Sequence, residues 1–498
     1  MLRFHWNGAQ AGAAGWLAAL LAAGFRFETG WRVLAYAQLK GALLTLFVLY
    51  IIWAALLFYR VTDEADAVRA IGDGLPRLTP DRGLQALLLG WVFSAFLQGM
   101  GGFGVPVAVV APLLIGLGFP TVAAVVIPSV GHPWAVTFGS LGSSFYALMA
   151  ATGRSGDELA PWSAALLGLA CLGCGAAALW AAGGWRTLRS NWAALLVVGA
   201  TMAATQFFVV THGLWAIGGM MGGLAGLAVG VTWARLRHRA GTPLEGERPD
   251  RANAGMPVGW ALLPYILLVV IVLVAQAPPV KAALGQVVVR VHFPDLTTGR
   301  GWTTPAEEGR SINIFGHAGA LLTYASLVTY LIFRRRGYYE KGAVGRIAHS
   351  VVRKALRSSL GTAAMVGIAV TMGHAGMTHL LAQGVAQVAG RWFPLAAPFI
   401  GVLGAFMTGS NTNSNVVFGG LQQNVATLLG VSPLIILAAQ TAGGAIGSAF
   451  APTKIIVGCS TVEADEGTVL KAVMRYGLIV VAVLSLVVGV AVYCPGSN

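Results

Sequence analysis

Glycines, amides and hydroxyls are concentrated in two short runs of an otherwise apolar chain, Gln98-Gly-Met-Gly-Gly-Phe-Gly104 and Thr408-Gly-Ser-Asn-Thr-Asn-Ser-Asn415. Glycine lets backbone N–H groups approach a ligand closely and adopts positive φ without strain. Hydroxyl and amide side chains can donate and accept hydrogen bonds, for example with a ligand hydroxyl group. These residue types predict reversible binding of a small polar ligand.

We predict that the polar residues of both runs line one binding site. The first run contributes Gln98, Gly99, Gly101, Gly102 and Gly104. The second run contributes Thr408, Gly409, Ser410, Asn411, Thr412, Asn413, Ser414 and Asn415. Close packing of helices also uses small residues in membranes, and that alternative stays open for each glycine.

The two runs have similar surroundings in the two halves of the chain. Each follows an apolar stretch with a phenylalanine near its end, Phe96 or Phe406, and each precedes a turn, Gly118-Phe-Pro120 or Gly430-Val-Ser-Pro433. Irregular backbone at membrane depth is tolerated only where protein or a water-filled cavity covers it. Paired interruptions in two halves are typical of the midplane binding site of a secondary transporter.

The elements that position these runs are membrane-spanning helices. Charged residues make up 10% of the chain and apolar residues 56%, with a mean hydropathy of +0.73. We predict an all-α polytopic membrane protein with about twelve transmembrane helices (about 10–14), in two repeats that each contain a broken or re-entrant helix near the midplane. The long apolar runs are 38–59, 162–182, 192–210, 214–233, 256–276, 312–333 and 472–492, and the short ones are 84–97, 105–118, 359–371, 394–407 and 433–448.

Four regions follow from this pattern. Residues 1–83 form N-terminal transmembrane helices, and 84–150 form the core of the first repeat. Residues 151–358 are connecting helices with basic cytoplasmic loops and an external loop at 277–311, and 359–498 are the second core with the C-terminal helix. The apolar stretch within residues 1–27 is interpreted as a first helix, because it lacks a convincing cleavage site for a signal peptide.

The net charge of +14 is concentrated on one side of the predicted membrane. Basic residues follow consecutive spans in the loops that the topology places on the same face: Arg186, Arg189, Arg235, Arg237, His238, Arg239, Arg248, Arg251, Arg334, Arg335, Arg336, Lys341, Arg346, Arg353, Lys354 and Arg357. By the positive-inside rule this face is cytoplasmic. The charge therefore indicates a plasma (inner) membrane protein in contact with lipid, and not a nucleic-acid-binding protein.

Histidines are the side chains that can exchange protons near neutral pH. His132 lies in Ser129-Val-Gly-His-Pro-Trp134, where glycine and proline predict another irregular segment. His317, His374 and His379 have less distinctive surroundings. A hydrogen-bonded packing histidine is the alternative for each. The cysteines, Cys171, Cys174, Cys459 and Cys494, are interpreted as packing thiols, and no spacing predicts a metal site.

The run from Thr79 to Pro120, which contains Gln98-Gly-Met-Gly-Gly-Phe-Gly104, resembles the lactate permease family, as does Phe406–Phe418 with Thr441-Ala-Gly-Gly444 and Pro452. The resemblance implies a bacterial or archaeal permease that takes up lactate or a related 2-hydroxymonocarboxylate such as glycolate, usually with a proton. It also implies a two-repeat fold, a homodimer and elevator-like motion.

Three positions depart from the pattern of that family. Gln98 and Asn411 stand where the family has carboxylates, and Lys454 stands in Ala451-Pro-Thr-Lys454 where a neutral residue is expected. An amide cannot carry a proton, so His132 becomes the candidate proton carrier. Lys454 can compensate the charge of an anionic substrate, or alternatively extend its amine to the cytoplasmic interface. In the first case the substrate could be a dicarboxylate or a sulfonated hydroxy acid.

Sodium is an alternative coupling ion. Ser410-Asn411-Thr412 resembles a Ser-Asn-Thr signature that holds sodium in distantly related carboxylate transporters, so Asn411 and Thr412 are candidate ion ligands. Asparagines also cap broken helices, and that simpler role stays open.

Other classes of protein fit the sequence less well. The chain has no nucleophile–base pair, carboxylate dyad or cofactor motif at membrane depth, so we predict no enzyme activity and no cofactor. An anion channel stays open, because glycine-rich re-entrant loops also form filters. The expected partners are a small organic anion, a proton or sodium ion, lipid and a second copy of the chain.

Overall fold

The computed structural model describes residues 8–74, 79–102, 104–239, 256–309 and 311–493. The helices are α1 Gly8–Arg26, α2 Trp31–Asp63, α3 Ala67–Gly74, α4 Arg82–Gln85, α5 Ser94–Met100, α6 Val105–Gly116, α7 Thr121–Gly131, α8 Ser143–Thr152, α9 Gly156–Thr211, α10 Gly218–Arg239, α11 Val258–Gln276, α12 Pro278–Leu284, α13 Ala318–Arg335, α14 Ala343–His374, α15 Met377–Ala389, α16 Phe393–Thr408, α17 Asn411–Leu428, α18 Pro433–Gly447, α19 Pro452–Ser460 and α20 Glu466–Tyr493. Arg248, Arg251 and Cys494, which the sequence analysis names, lie outside the described residues.

Ten helical segments of the described residues are long and apolar enough to cross a membrane. The prediction of an all-α polytopic membrane protein is therefore confirmed. α9 contains two of the predicted spans, 162–182 and 192–210, in one helical segment of 56 residues. Its backbone departs from helical geometry at Gly183 and Gly184, where the chain turns between the two.

The first interruption lies at the tip of a helical hairpin, which we call the first hairpin (82–116). Its first arm runs from Arg82 to Met100 and includes a π-helical stretch, Ala86–Phe93, between α4 and α5. The predicted short run 84–97 is thus part of a longer continuous helix. Asp81 caps this arm by accepting hydrogen bonds from the N–H groups of Gly83 and Leu84 at 2.8 and 3.1 Å. The second arm is α6.

The crossing that follows the first hairpin is unwound in its middle. α7 ends at Gly131, and α8 begins at Ser143. The segment between them, residues 132–142, contains two 3₁₀ turns and is called the first break. The predicted irregular segment around His132 is therefore present.

The second half repeats this order of elements. α16 and α17 form the second hairpin (393–428), with Gly409 and Ser410 at its tip. α18 and α19 form the crossing that follows, and residues 448–451 between them are called the second break. α20 packs against α16 and α18.

The open ends of the two hairpins lie on opposite faces of the molecule. At the first hairpin, Arg82 Nη2 donates to the carbonyl of Gly118 at 3.4 Å, and Asp81 pairs with Arg237 of the basic face at 3.6 Å. At the second hairpin, Gly420 and Asn424 of α17 border a cavity beneath the loop that precedes α13. Hairpins that open to opposite faces are the arrangement that inverted repeats produce.

The predicted external loop carries secondary structure of its own. α12 is followed by three antiparallel two-stranded ladders, in which β1 (Val288–Val289) pairs with β6 (Ile312–Asn313), β2 (His292–Phe293) with β5 (Glu307–Glu308), and β3 (Leu296–Thr297) with β4 (Thr303–Thr304). The predicted span 312–333 is therefore wrong at its start. Its first two residues form β6, and α13 begins only after His317, whose ring nitrogen accepts a hydrogen bond from the N–H of Gly319.

Candidate functional site

The two halves of the chain meet through polar side chains in an apolar surrounding. Thr137 of the first break and Thr441 of α18 place their hydroxyl oxygens 3.1 Å apart. Asn411, the first residue of α17, donates from Nδ2 to both hydroxyls, at 3.2 and 3.3 Å. All three side chains are buried. The second hairpin is therefore joined to the first break by hydrogen bonds that polar residues alone can form at this depth.

A second layer of contacts extends this contact region. Asn415 Nδ2 donates to the hydroxyl of Thr441 at 2.9 Å and to the carbonyl of Ser144 at 3.0 Å. The hydroxyl oxygens of Ser144 and Thr412 lie 3.0 Å apart. We call these side chains the amide–hydroxyl cluster: Thr137, Ser144, Asn411, Thr412, Asn415 and Thr441.

The amide–hydroxyl cluster has unused hydrogen-bonding capacity. Oδ1 of Asn411 and Oδ1 of Asn415 are both buried, and neither has a hydrogen-bond partner among the described residues. A buried acceptor without a partner is costly, so such atoms are rare unless a water, ion or ligand satisfies them. These two oxygens can accept a hydrogen bond from a ligand hydroxyl or coordinate a cation.

Four helices begin at the interruptions and breaks: α6, α8, α17 and α19. α6 and α8 each have a left-handed glycine as N-cap, Gly104 or Gly142, and α19 has Ala451; none of these three has a side-chain cap. Only α17 has one, since Ser410 accepts from the N–H of Asn413 at 3.4 Å. Pro106 and Pro452 have no N–H, and the N–H groups of Val105, Phe145 and Lys454 are bonded to nearby carbonyls. These first turns therefore favour a bound anion mainly through the positive end of the helix dipole.

The tips of both hairpins lie against the breaks. A Cβ atom on Gly102, which has φ of +52°, would lie 2.1 Å from Ser140 Oγ of the first break. A Cβ atom on Gly104 would meet Val457, and one on Gly409 would lie 2.9 Å from Thr453 Oγ1. Both tips therefore border α19, and the contact at Gly102 leaves no room for a side chain.

The first break contains strained backbone. Ser140 and Leu141 have positive φ angles, 45° and 55°, that non-glycine residues rarely adopt. Such conformations cost about 1–3 kcal/mol each and persist where the surrounding structure enforces them, often at ligand sites. The strain lies directly opposite the tip of the first hairpin.

A positively charged side chain lies at the second break. Lys454 is half-buried in α19, and its Nζ donates to Ser448 Oγ at 3.0 Å. It forms no salt bridge with any described residue. The buried polar side chains of the described residues include no Asp or Glu. Lys454 thus provides positive charge that no acidic side chain balances.

His132 is buried at the start of the first break, within electrostatic range of Lys454. Its Nδ1 lies 2.6 Å from the carbonyl oxygen of Pro128, a contact that places the ring proton on Nδ1. Its Nε2 is buried and has no hydrogen-bond partner among the described residues. This nitrogen is therefore free to accept a proton.

Several predicted residues have structural contacts instead of facing an opening. A Cβ atom on Gly99 would lie 2.6 Å from the backbone of Met220, and one on Gly101 would lie 3.0 Å from the ring of Tyr59. Ser414 donates to the carbonyl of Gly401 at 2.9 Å, and Thr408 to that of Gly404 at 2.7 Å. Asn413 accepts from Thr362 at 3.2 Å. The contacts of Gly99, Gly101 and Asn413 hold the hairpins against neighbouring helices, whereas Ser414 joins the two arms of the second hairpin and Thr408 bonds within α16.

Gln98 contacts the first break. Its Nε2 would lie 3.2 Å from a Cβ atom on Gly102, and its backbone carbonyl 2.7 Å from one on Gly139. Its Oε1 is buried without a hydrogen-bond partner among the described residues. This side chain therefore lies at the tip of the first hairpin with a free acceptor.

Sequence reasoning missed three members of the amide–hydroxyl cluster: Thr137, Ser144 and Thr441. It also missed Gln440, which donates to Ser414 Oγ at 2.9 Å and contacts Gln422. The available signal was the presence of hydroxyl and amide side chains inside apolar helices, where each needs a partner.

The remaining candidate residues have structural positions. Cys171, Cys174 and Cys459 are buried free thiols, and the described residues contain no group of three or more side chains able to hold a metal ion. His317 caps α13 and stacks on Tyr50, and His379 stacks on Trp302 of the outer loop.

Comparison with known proteins places this arrangement in a family. The family model for L-lactate permease matches residues 1–494. Glycolate permease GlcA of Escherichia coli (strain K12) is 26% identical over 482 residues, covering 88% of this chain and 83% of that protein. L-lactate permease of the same strain is 26% identical over 474 residues, covering 90% and 84%. L-lactate permease of Bacillus subtilis (strain 168) is 27% identical over 474 residues, covering 88% and 83%.

Among solved structures, the crystal structure of the YdaH transporter of Alcanivorax borkumensis is similar with a TM-score of 0.45 and 14% identity, covering 88% of this chain and 84% of that chain. The permease family and the ten candidate spans identify a multi-pass membrane transporter and not an enzyme, consistent with a plasma-membrane location. The chain belongs to the L-lactate permease family.

Proposed function

We propose that this chain is a secondary transporter that takes up lactate, glycolate or a closely related 2-hydroxymonocarboxylate. The observation that carries the proposal is the meeting of uncapped helix N-termini with an unpaired lysine, in a region where the buried side chains of the described residues include no carboxylate. This combination favours a small anion. The names of the relatives, which are permeases for L-lactate and glycolate, support the same substrate class.

The substrate carboxylate is proposed to bind near Lys454 and the first turn of α19. The ammonium group compensates its charge, and the N–H of Thr453 in the first turn of α19 donates to one of its oxygens. The unpartnered oxygens of Asn411 and Asn415 are proposed to accept the hydrogen bond of the 2-hydroxyl group. A site built to bond a hydroxyl discriminates strongly against an analogue without it, such as propionate.

The proposed coupling ion is the proton, carried by His132. The free Nε2 of this histidine supports the assignment. Its burial and the nearby Lys454 both disfavour the protonated ring while no anion is bound. The ammonium group of Lys454 and the ring of His132 would repel each other while His132 is protonated. Arrival of the anion at Lys454 removes that repulsion, so proton and substrate favour each other's binding.

The test uses purified protein in proteoliposomes. We expect labelled L-lactate or glycolate to accumulate under an inward proton gradient, and an uncoupler to abolish accumulation. Propionate should compete weakly. Counterflow, in which unlabelled internal substrate drives uptake of label against its gradient, distinguishes a carrier from an anion channel. Active vesicles that show no counterflow with either substrate would overturn the proposal.

A second candidate substrate class follows from Lys454 itself. Because this lysine lacks an acidic partner among the described residues, it can also balance a second negative charge, as in a dicarboxylate or a sulfonated hydroxy acid. A competition panel with malate and sulfolactate decides between the classes. Stronger competition by these anions than by lactate would favour the second class.

Sodium coupling is tested in the same vesicles. The free oxygens of Asn411 and Asn415 can coordinate a monovalent cation, and Thr412 lies beside them. A sodium gradient imposed without a proton gradient should not drive accumulation if the proton is the coupling ion. Accumulation that follows sodium would transfer the coupling role to these residues.

A further inference from the structure

A cleft at the cytoplasmic face lies outside the proposed transport site. It is formed by the C-terminal end of α2 and the first turns of α14, and its volume is about 320 Å³. Five residues line it: Arg60, His349, Ser350, Arg353 and Lys354. Nearby, Tyr339 donates to the carbonyl of Val61 at 2.7 Å, which joins the end of α2 to the basic face that follows α13.

The positive charge of the cleft exceeds the negative charge around it. Asp63 pairs with Arg60 at 2.7 Å, and Glu64 pairs with Arg346 at 2.6 Å. Arg353 and Lys354 have no salt bridge with any described residue. Asp63 and Glu64 are thus already paired, and Arg353 and Lys354 remain, although Lys354 also interacts with Asp63 at longer range.

Hydrogen-bond donors in the cleft also outnumber acceptors. The Nε of Arg60 is buried and has no partner among the described residues, while Nη1 of the same side chain holds Asp63. Ser350 adds a hydroxyl, and Arg353 adds a planar guanidinium that can donate two parallel hydrogen bonds. Such a set of donors fits an anion with several oxygens and more than one negative charge.

The cleft is separate from the amide–hydroxyl cluster but lies on a helix that reaches it. Further along α14, Ser359 accepts from Trp53 at 2.9 Å, and Thr362 donates to Asn413 of the second hairpin at 3.2 Å. Eight residues of helix separate Lys354 from Thr362, which corresponds to about 12 Å. An anion in the cleft therefore does not occupy the transport site.

We propose that this cleft binds a terminal phosphate group, presented either by a phospholipid headgroup that ends in a phosphate monoester or by a soluble phosphorylated compound. A monocarboxylate such as lactate has one charge and would leave one of the two free cations unbalanced. A terminal phosphate carries about 1.5–2 negative charges near neutral pH, and it has the oxygens to satisfy both cations. The position at the end of two spanning helices is within reach of lipid headgroups and of cytoplasmic solutes.

The experiment measures the midpoint of thermal unfolding of the full-length protein purified in a neutral detergent. One arm adds inorganic phosphate at constant ionic strength, and the other adds phosphatidic acid, with phosphatidylglycerol, whose phosphodiester has one negative charge, as the lipid control. Specific binding should raise the midpoint by about 2 °C or more. The double variant Arg353→Gln/Lys354→Gln should lose this rise, and Arg335→Gln, which removes an exposed charge from the same face, should retain it.

The outcomes separate the two sources. A rise with phosphatidic acid alone identifies a lipid headgroup, and a rise with inorganic phosphate identifies a soluble ligand. The single variants Arg353→Gln and Lys354→Gln replace the double variant if it does not fold, and each should weaken the effect. The proposal is overturned if neither probe raises the midpoint, or if the cleft variants respond as the wild type does. It is also overturned if lactate raises the midpoint of the wild type, and not that of the cleft variants, by the same amount as the phosphate probes.

Discussion

At the scale of single residues, the distribution of charge distinguishes the site. Gln98 and Asn411 are buried and uncharged, whereas Lys454 at the second break is positive and has no salt bridge within the described structure. An anion can bind to such a site without first breaking a salt bridge between the lysine and an acidic side chain of the protein. In the proposed mode of binding, Lys454 and the helix N-termini compensate the charge of the anion.

Replacement of Lys454 tests this compensation. We expect Lys454→Gln to raise KM for the transported anion by about tenfold or more, because a hydrogen bond to a charged group is worth about 1.5–3 kcal/mol. Lys454→Arg should retain most of the affinity. Lys471→Gln, which removes an exposed charge from α20, serves as the control. Initial uptake rates across substrate concentrations give KM, and an unchanged value in Lys454→Gln would exclude the proposed role.

The substitution Asn411→Asp introduces a carboxyl group into the amide–hydroxyl cluster. The hydroxyls of Thr137 and Thr441 can rotate to donate to it, so the variant should fold. A carboxyl group at this depth can take up a proton near neutral pH and repels the substrate when ionised. Uptake should therefore fall more steeply above pH 7 than in the wild type. Pairs of pH profiles measure the effect, and parallel profiles would show that Asn411 does not face the substrate.

The polar residues near the tip of the second hairpin could be predicted from the sequence, whereas their hydrogen-bond partners in other elements could not. Asn411, Thr412 and Asn415 belong to a dense polar run, which is conspicuous in an apolar chain. Thr137 and Thr441 are single hydroxyls about 300 residues apart, and only the packing of α17 and α18 against the first break brings them together. Long-range pairing of this kind leaves no local pattern in the sequence.

At the scale of elements, close contacts hold the first hairpin against the first break. Gly102 combines a positive φ with a position where a Cβ atom would lie 2.1 Å from Ser140 Oγ. Ser140 and Leu141 are themselves in the left-handed region. The strained backbone of the first break and the missing side chain at Gly102 are therefore two sides of one contact. A glycine at this position lets the backbone of the hairpin tip approach the break closely.

A pair of variants tests that contact. Gly102→Ala should strongly reduce uptake, because the methyl group clashes with Ser140 Oγ and because alanine costs about 1–2 kcal/mol in a left-handed conformation. Removing the hydroxyl in Gly102→Ala/Ser140→Ala relieves the clash but not the backbone cost, so activity should recover in part. Gly24→Ala is the control, since a Cβ atom there meets nothing within 4 Å. Full activity of Gly102→Ala would contradict this account.

Boundaries of elements were predictable where glycine and proline mark them. The interruptions at Gly101 and Gly409 and the break after His132 follow that rule. The π-helical stretch Ala86–Phe93 and the two-residue strands of the outer loop were not predicted. The stretch is uniformly apolar and has no periodicity to distinguish it from an α-helix, and the strands are too short to show alternation.

At the scale of the whole molecule, the two hairpins determine how the site can be reached. Each hairpin ends at the polar centre, and each opens to a different face of the molecule. The cavity on the face of the outer loop has a volume of about 690 Å³ and is lined by α17, by the end of α8 and by the loop. Lys40 pairs with Glu307 across it, which joins α2 to the loop. We propose that this cavity is the outer end of an access route, because it reaches α17 on the side of the outer loop.

Labelling of single cysteines tests the orientation of both hairpins. Gly116→Cys lies at the open end of the first hairpin and Thr427→Cys at that of the second, and both positions are exposed. By the positive-inside rule, the face of the first hairpin, with Arg237, is cytoplasmic. In intact cells, a membrane-impermeant maleimide should therefore label Thr427→Cys, and should label Gly116→Cys only after permeabilisation.

The background for that experiment replaces the native cysteines with alanine. Asp295→Cys in the outer loop is the external control, and Lys341→Cys after α13 is the cytoplasmic control. Both positions are exposed. Labelling of both hairpin ends from one side would mean that the hairpins do not oppose each other. The second half would then not be an inverted copy of the first, and alternating access could not rest on the exchange of equivalent hairpins around a fixed central site.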